Sequence, residues 1–431
     1  MPDLSPQVMS KILSHRIGSL PLDKEMILPF YDGYSLVNIP CTISKWLTGT
    51  DFGNPPLNAV VTDAIEGSFK KIVLFLVDAL DLNLFERMRH PQNDLLWGKY
   101  SAQAVYTPLT SICPSTTASA LTTLWTGEGP ASHGIIGFEM WAKEFGMVMN
   151  NIYHSPANAQ SDMGGLVRSG FSPSNFLNKP LLGTHLLQQG VKSSAFMQAS
   201  IARSGLSTMQ MVDVDIHPYF DEADLFLSLA ELINRRPGKR EYIYVYYSDV
   251  DTLMHRYNAG NPRVAYQFEV FSDLLEKAFL QNLTQQGAQD TLMILTADHG
   301  SIATPHQSKY DLANHPELMD CLVMQPTCEN RLAFLYLKPG KEASLRDYFT
   351  KTWPDEFILL DSISVLESGL FGKGPFKANV NDRLGDLIAV ARGDAYLWWA
   401  PKPNLMAGRH GGLSQEEMLV PFYALPLGGV V

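Results

Sequence analysis

Short apolar runs recur along this chain, and longer segments with helical spacing lie between them. A run that is apolar throughout is typical of a strand buried on both faces of a parallel sheet. Such runs predict strands at 70–77, 193–198, 242–248 and 291–297, followed by others at 332–337 and near 387–398. Helical patterns are found at 178–190, 222–235 and 261–284. This alternation predicts an α/β fold with a mainly parallel central sheet and helices on both faces.

Shorter patterns predict two more helices and a hairpin. Residues 80–88 follow the first strand with helical spacing, and residues 117–125 form a second such segment that Gly127 stops. Residues 134–153 alternate glycine, aromatic residues and methionine around a turn at 143–146. That pattern predicts a β-hairpin.

The distribution of proline, glycine and apolar runs along the sequence divides the chain into an arm, a core and a cap. Residues 1–66 contain proline and glycine breaks and predict an N-terminal arm packed on the core. The catalytic core is predicted to comprise residues 67–300 and 405–431. Residues 301–404 are richer in proline and loops, which predicts an inserted cap subdomain.

Composition and charge narrow the classes of partner. The net charge of −11 and the pI near 5.5 argue against a nucleic-acid polymer or an anionic membrane as partner. A small phosphorylated substrate is compatible with this charge, because bound metal ions would reverse the local field. No apolar stretch reaches the roughly 18 residues of a spanning helix. The sequence has no pattern that indicates an oligomeric state.

The N-terminal residues and the cysteines indicate in which cellular compartment the protein is expected. Residues 1–6 lack the basic start and apolar run of a secretory signal. The four cysteines form no CxxC pair, which fits a reducing compartment: Cys41, Cys113, Cys321 and Cys328. We therefore expect a cytoplasmic protein.

Carboxylates and imidazoles follow several of the predicted strands. In an open α/β sheet the carboxyl ends of the strands converge on one crevice, so these side chains are expected to meet there. Such a set suits two divalent cations a few Å apart, the arrangement used for phosphoryl transfer. The candidate ligands are Asp78, Asp251, His255, Asp298, His299 and His410.

Several of the candidate ligands have a plainer explanation when they are taken alone, whereas the adjacent pair Asp298 and His299 is a sharper signal because both can bind one ion if the chain turns there. Asp78 at a strand exit can cap a helix. Asp251 and His255 share a helix face, but their spacing of four is frequent by chance, and Asp249 is a competing ligand. The glycines around His410 permit close backbone approach, although a histidine in a loop is usually only solvated.

A hydroxyl nucleophile is predicted at the start of the helix at 117–125. The unpaired N–H groups and partial positive charge of a helix N-terminus suit a phosphate and favour an alkoxide. Ser115, Thr116 and Thr117 all lie there, and the plainer alternative is that one of them caps the helix.

With these residues in place, the chain resembles the alkaline phosphatase superfamily, and most closely its type I phosphodiesterase/nucleotide pyrophosphatase family. The resemblance covers roughly residues 68–300 and 404–425. In that family the nucleophile lies nine residues before the threonine of a Thr-Gly pair, which here is Thr126-Gly127 ahead of a His-Gly-Ile segment. The resemblance therefore implies that Thr117 is the nucleophile, with Thr116 as the fallback.

The resemblance also implies a ligand set and a mechanism. One ion is implied to bind Asp78, Thr117, Asp298 and His299, and the other to bind Asp251, His255 and His410. Most members hold two Zn²⁺ ions, and Mn²⁺ or Mg²⁺ also suits related sites rich in carboxylate. The expected reaction is hydrolysis of phosphodiester or pyrophosphate bonds through a phosphothreonyl intermediate.

Departures from the family pattern keep alternatives open. Phe138 stands where the nucleotide-cleaving branch has an asparagine that bonds a phosphoryl oxygen. The sulfatase pattern, Cys or Ser followed by Pro two residues on and Arg two further, is absent because Pro114 follows Cys113 directly and position 117 is a threonine. The alternatives are a phosphomonoesterase or phosphotransferase on the same site, or a metal-stabilised binding protein without catalysis. Among the remaining polar residues, Arg168, Arg203 and Arg409 are candidate phosphate clamps by charge alone, His133 is expected to support a turn, and His306 and His315 are expected to orient the cap.

Overall fold

The computed structural model describes residues 2–159 and 162–431. The strands of this part of the chain are β1 (Lys71–Val77), β2 (Val105–Thr110), β3 (Glu139–Ala142), β4 (Met147–Asn150), β5 (Ser155–Pro156), β6 (Lys192–Gln198), β7 (Val214–Tyr219), β8 (Glu241–Tyr247), β9 (Thr291–Thr296), β10 (Ile302–Ala303), β11 (Thr327–Glu329), β12 (Leu332–Leu335), β13 (Phe357–Asp361), β14 (Leu387–Ala391), β15 (Gly408–Arg409) and β16 (Leu419–Pro426).

Helices follow most of these strands. They are α1 (Ser5–Ser14), α2 (Ile39–Thr48), α3 (Ala59–Thr62), α4 (Leu82–Met88), α5 (Leu96–Lys99), α6 (Thr117–Thr126), α7 (Pro130–His133), α8 (Gly165–Arg168), α9 (Pro173–Leu177), α10 (Leu182–Gln188), α11 (Gly205–Gln210), α12 (Glu222–Arg235), α13 (Asp249–Tyr257), α14 (Pro262–Leu274), α15 (Gln285–Ala288), α16 (Pro316–Cys321), α17 (Glu342–Thr352), α18 (Ser362–Ser368), α19 (Val380–Leu384) and α20 (Gln415–Met418). The helix α14 continues through a π-helical turn at Leu275–Phe279.

The central sheet has the order β2-β16-β9-β1-β8-β6-β7 within the described residues. Neighbouring strands pair in parallel from β9 to β7, whereas β16 is antiparallel to both β9 and β2. Every residue of β1, β8 and β9 is buried, as expected for apolar strands covered on both faces. The predicted α/β class with a mainly parallel sheet flanked by helices is confirmed.

The register of the sheet brings three strand ends together. Val77 at the end of β1 pairs with Tyr247 at the end of β8. On the other side of β1, Leu76 pairs with Thr296 at the end of β9. The residues that follow these three strands therefore leave the sheet side by side.

A second sheet is antiparallel and has the order β13-β14-β12-β11-β3-β4-β5. It joins the hairpin after Gly137 to strands of the predicted cap, through the pair Cys328 and Glu139. Part of the cap range also has an apolar cluster of its own, which includes Tyr310, Trp353 and Tyr396.

The N-terminal segment covers the outer edge of β2. Leu4 N–H donates to the Tyr106 carbonyl at 2.9 Å, and Thr110 N–H donates to the Tyr34 carbonyl at 2.8 Å. These bonds satisfy backbone groups that an edge strand would otherwise expose. Each of the four cysteines is a buried free thiol. In the part of the chain that the structure describes, no helix has the length and apolarity needed to cross a membrane.

Candidate metal centre

Asp78, Asp298 and His299 lie in the turns that directly follow β1 and β9. Asp78 N–H donates to the Tyr247 carbonyl at 2.8 Å, which ties its turn to β8. Asp298 Oδ1 accepts the N–H groups of Ala79 at 3.2 Å and of His299 at 3.0 Å. One oxygen of Asp298 therefore fixes the two turns against each other.

Thr117 lies against this group. Its Oγ1 is 3.1 Å from His299 Nε2 and 3.5 Å from Asp78 Oδ2. His299 Nε2 is in turn 3.5 Å from Asp78 Oδ1 and 3.5 Å from Asp298 Oδ2. All four side chains are buried. The structure thus brings together four residues that lie up to 221 positions apart in the chain (78 to 299).

The other three candidates lie beside them. Asp251 and His255 are one turn apart on α13, with 3.4 Å between Asp251 Oδ1 and His255 Nε2. The ring of His410 stacks on that of His299 with centroids 3.8 Å apart, and it is 5.1 Å from the His255 ring. Within the described residues, all seven sequence candidates therefore meet at one edge of the sheet.

Two groups of potential ligand atoms can be distinguished by distance. The ligand atoms of Asp78, Asp298 and His299 lie within 4.8 Å of one another, and so do those of Asp251, His299 and His410. The groups share His299, so they adjoin. Asp249 belongs to neither of these groups, although it lies on the same helix as Asp251.

The three histidines are oriented by backbone carbonyls. Each Nδ1 is close to one carbonyl oxygen: 3.0 Å from His255 to Gly408, 2.9 Å from His299 to Gly300 and 3.1 Å from His410 to Ser115. Because a carbonyl only accepts hydrogen bonds, each Nδ1 carries the proton and each Nε2 keeps its lone pair. This tautomer is the one that a metal-ligating histidine requires. Burial also lowers the pKa of His410 well below its ordinary value, which keeps the ring neutral.

The carboxylates have unsatisfied oxygens that fit a cation. Asp78 Oδ1, Asp251 Oδ1 and Asp298 Oδ2 are buried and have no hydrogen-bond partner among the described residues. Burial raises the pKa of Asp78, and the charges of Asp298 and Asp251 raise it further. Burial raises the pKa of Asp298 to about 7. Burial of an unpaired, charged carboxylate costs free energy unless the group binds a metal ion or takes up a proton. This donor set therefore fits divalent cations.

None of the three hydroxyls at the start of α6 caps that helix. The N-cap residue Thr116 makes no side-chain capping bond, and its hydroxyl donates to Glu329 instead. Ser115 Oγ donates to the Gly412 carbonyl at 2.8 Å. Thr117, the first residue of α6, directs its hydroxyl to Asp78 and His299. The capping alternative therefore does not account for these residues.

Glu329 is a residue of this site that the sequence did not reveal. It ends β11, and its Oε1 accepts the Thr116 hydroxyl and the Phe138 N–H, the latter at 3.1 Å. It also packs on Gly411, where a Cβ would lie 2.5 Å from the Glu329 Cβ. Burial raises the pKa of Glu329 to about 8. No motif surrounds it in the sequence, because it reaches the site from the second sheet.

Tyr246 is a second such residue. Its hydroxyl donates to Asp78 Oδ2, and its backbone carbonyl accepts the Tyr219 hydroxyl at 2.9 Å. The aromatic run of β8 correctly indicated a buried strand. Its position beside Asp78 could have been inferred only from the parallel pairing of β8 with β1.

The candidate arginine clamps are either exposed or bound to other groups. Arg168 and Arg203 are exposed. Arg409 is buried, but its guanidinium donates to Thr304 Oγ1 at 2.7 Å and lies over the Tyr396 ring at 3.8 Å. The positions of these three arginines do not support a role in phosphate binding.

The remaining histidines have structural contacts. His133 Nε2 is 3.1 Å from Thr123 Oγ1, and its Nδ1 accepts the Ile135 N–H at 3.0 Å, so it ties a turn to α6. His306 contacts Asp311. His315 lies between the Tyr348 hydroxyl and the Lys309 carbonyl, both at 2.8 Å.

The mainly parallel α/β fold and the grouped carboxylates and imidazoles fit a hydrolase that acts on phosphate esters. The family comparison agrees: the model of "Type I phosphodiesterase / nucleotide pyrophosphatase" matches residues 72–413. The chain therefore belongs to the type I phosphodiesterase/nucleotide pyrophosphatase family of the alkaline phosphatase superfamily, and it is a hydrolase that acts on phosphate esters. The resemblance seen in the sequence is confirmed.

Solved structures support the fold. Murine ectonucleotide pyrophosphatase/phosphodiesterase 5 is 18% identical with a TM-score of 0.59, and the match covers 82% of this chain and 88% of that one. Phosphonoacetate hydrolase from Sinorhizobium meliloti 1021, in complex with phosphonoformate, is 16% identical with a TM-score of 0.58, over 82% of this chain and 89% of that one. No curated protein matches the chain significantly.

Proposed function

We propose that this protein is a metal-dependent phosphohydrolase that cleaves phosphodiester or pyrophosphate bonds through a phosphothreonyl intermediate on Thr117. The observation that carries the proposal is the position of the Thr117 hydroxyl, 3.1 Å from His299 Nε2 and 3.5 Å from Asp78 Oδ2 at the head of α6. A buried hydroxyl in such a donor set is suited to nucleophilic attack.

Two divalent ions would be held by the seven residues. Asp78, Thr117, Asp298 and His299 would hold one, and the other would be held by Asp251, His255 and His410. Zn²⁺ suits the imidazoles, and Mn²⁺ or Mg²⁺ suits the carboxylates. When bound, the ions supply positive charge that lowers the pKa of a hydroxyl and of water and offsets charge on phosphoryl oxygens.

The proposed reaction has two steps, and Thr117 takes part in both. The Thr117 oxygen forms a bond to phosphorus while the bond to the leaving oxygen breaks, and water later cleaves the bond between Thr117 and phosphorus. The free N–H groups at the start of α6 face the anionic phosphoryl group. Two successive in-line displacements give net retention of configuration at phosphorus.

The neighbours support a small phosphorus-containing substrate. Phosphonoacetate hydrolase was solved with phosphonoformate and with phosphonoacetate. A threonine-to-alanine variant of the murine protein is described as inactive and was solved in complex with AMP. Specificity for nucleotides does not follow for this chain, because Phe138 offers no side-chain donor to a phosphoryl oxygen.

Paired assays test this proposal. The purified protein, loaded with Zn²⁺ or Mn²⁺, is expected to hydrolyse bis-p-nitrophenyl phosphate faster than p-nitrophenyl phosphate. A chelator should abolish both rates, and added metal should restore them. Preference for the monoester would point to a phosphomonoesterase. Full activity after exhaustive chelation would contradict metal dependence.

A further inference from the structure

A separate cavity of about 570 Å³ lies between α9, α19 and the hairpin turn that precedes β4. Its lining includes Lys179, Lys377 and Arg383, and none of its lining residues belongs to the metal centre. Glu144 is the one acidic side chain among the described lining residues. In a chain with a net charge of −11, this cavity has a local excess of positive charge.

The three cations are held mainly by neutral groups. Lys377 Nζ donates to the backbone carbonyls of Phe176 and Leu177, the latter at 3.0 Å. Lys179 Nζ donates to Ser132 Oγ at 2.8 Å. Carbonyl and hydroxyl partners satisfy hydrogen bonds but carry no opposite charge. The Ser132 hydroxyl in turn donates to Glu128 Oε2 at 2.9 Å, so a carboxylate lies one hydroxyl away from Lys179.

Arg383 is the most confined of these cations. It is 1% exposed, its Nη1 donates to the Gly134 carbonyl, and its Nη2 is 3.5 Å from Glu144 Oε1. Its Nε has no hydrogen-bond partner among the described residues. A buried guanidinium with one distant carboxylate and an unused donor is an incomplete ion pair, which an added anion would complete.

Burial and the neighbouring cations both disfavour the charged form of Lys377. Burial, together with the charges of Arg383 and Lys179, lowers the pKa of Lys377 to about 8, and Glu144 offsets this only in part. A bound anion would stabilise the charged form of all three side chains.

We propose that this cavity binds the phosphate group of a small molecule. The unused Nε–H of Arg383 can donate to a phosphate oxygen, and the two lysine ammonium groups act as further point charges. The aromatic rings of Phe145, Phe171 and Phe176 line the same cavity and would contact the organic part of the ligand. The site is independent of the proposed hydrolysis.

Calorimetric titration with inorganic phosphate tests the proposal. Metal-loaded wild-type protein is expected to show two classes of site, and chelated protein should keep only the class in this cavity. The double variant K179Q/K377Q should weaken that class by about tenfold or more, because two charge-assisted contacts are lost. Its hydrolysis of bis-p-nitrophenyl phosphate should stay at the wild-type rate.

Lys143→Gln is the matched control. Lys143 lies in the same hairpin turn, but it pairs with Asp382 at 2.9 Å and does not line the cavity, so this variant should bind phosphate as the wild type does. Circular dichroism confirms folding of each variant. Unchanged phosphate binding in K179Q/K377Q, or no binding to chelated wild-type protein, would overturn the proposal. Equal affinity for malonate would overturn the assignment to phosphate.

Discussion

At the scale of single residues, the hydroxyl of Thr117 is positioned by groups on both sides of the site. Asp78 and His299 face it, while the adjacent Thr116 hydroxyl is bound by Glu329. The bond from Glu329 to the Phe138 N–H anchors the segment that follows α7 as well. Glu329 therefore acts as a positioning residue for the start of α6.

Glu329 gives a prediction about pH. Burial raises its pKa to about 8, so the carboxyl is mainly neutral at pH 7 and gains a negative charge as the pH rises through 8. That charge would repel an anionic substrate, so we expect the wild-type kcat/KM to fall above pH 8. Glu329→Gln, which resembles the neutral acid, should keep activity near the wild-type level at pH 7 and lack the alkaline fall. Glu329→Ala, which loses both hydrogen bonds, should lower kcat by about tenfold.

Measuring kcat and kcat/KM against pH for the wild type, Glu329→Gln and Glu329→Ala tests this prediction. Identical alkaline limbs in the wild type and Glu329→Gln would show that Glu329 does not titrate in this range. Wild-type kcat in Glu329→Ala would show that its hydrogen bonds do not position α6.

The sequence predicted the candidate metal ligands, but it did not predict two other residues of the site, Glu329 and Tyr246. Asp78, Asp298 and His299 follow apolar strands of a parallel sheet, so their convergence followed from topology alone. Glu329 and Tyr246 reach the same site through the pairing of distant strands. That pairing depends on tertiary packing and leaves no local pattern in the sequence.

At the scale of elements, α13 offers an internal comparison. It presents Asp251 in the second ligand group, whereas Asp249 on its first turn lies outside both groups. Asp251→Asn or His410→Ala is therefore expected to lower the occupancy of one of two ions, while Asp249→Asn keeps both. Metal analysis by mass spectrometry measures the stoichiometry. Two full sites in both ligand variants would contradict the proposed ligands.

Strands that are apolar throughout were predictable, whereas strands whose sequence lacks an apolar run were missed. The central strands β1, β8 and β9 are apolar throughout and matched their predicted positions closely. Strand β7 at one edge contains Asp215, His217 and Pro218 and is partly exposed, so it lacks an apolar run. Strand β2 contains Pro108, a residue that interrupts strand patterns and is tolerated near sheet edges.

At the scale of the whole molecule, the candidate metal centre joins parts of the chain from Asp78 to His410. The site connects the central sheet, α6, α13 and the loop that precedes α20. Chelation should leave Asp78 and Asp298 buried and mutually repulsive, and binding to the folded state alone stabilises by mass action. We therefore expect the Tm to fall by about 5 °C or more on chelation.

Calorimetry with and without chelator measures this change, and added Zn²⁺ or Mn²⁺ should reverse it. An identical Tm in both states would mean that cations do not stabilise the fold.

Sequence patterns also did not predict that the 139–156 hairpin joins strands of the predicted cap. The pairing strands β3 and β11 are separated by more than 180 residues (139 to 327), so no local pattern links them.

Trapping of the covalent intermediate tests whether the Thr117 hydroxyl is the nucleophile. Metal-loaded protein would be mixed with bis-p-nitrophenyl phosphate, quenched in acid within one turnover, digested and analysed by mass spectrometry. We expect a p-nitrophenyl phosphoryl group on the peptide that contains Thr117, assigned to that oxygen by fragmentation and absent from inactive but folded Thr117→Ala. An adduct on Ser115 or Thr116, or full turnover by Thr117→Ala, would contradict it.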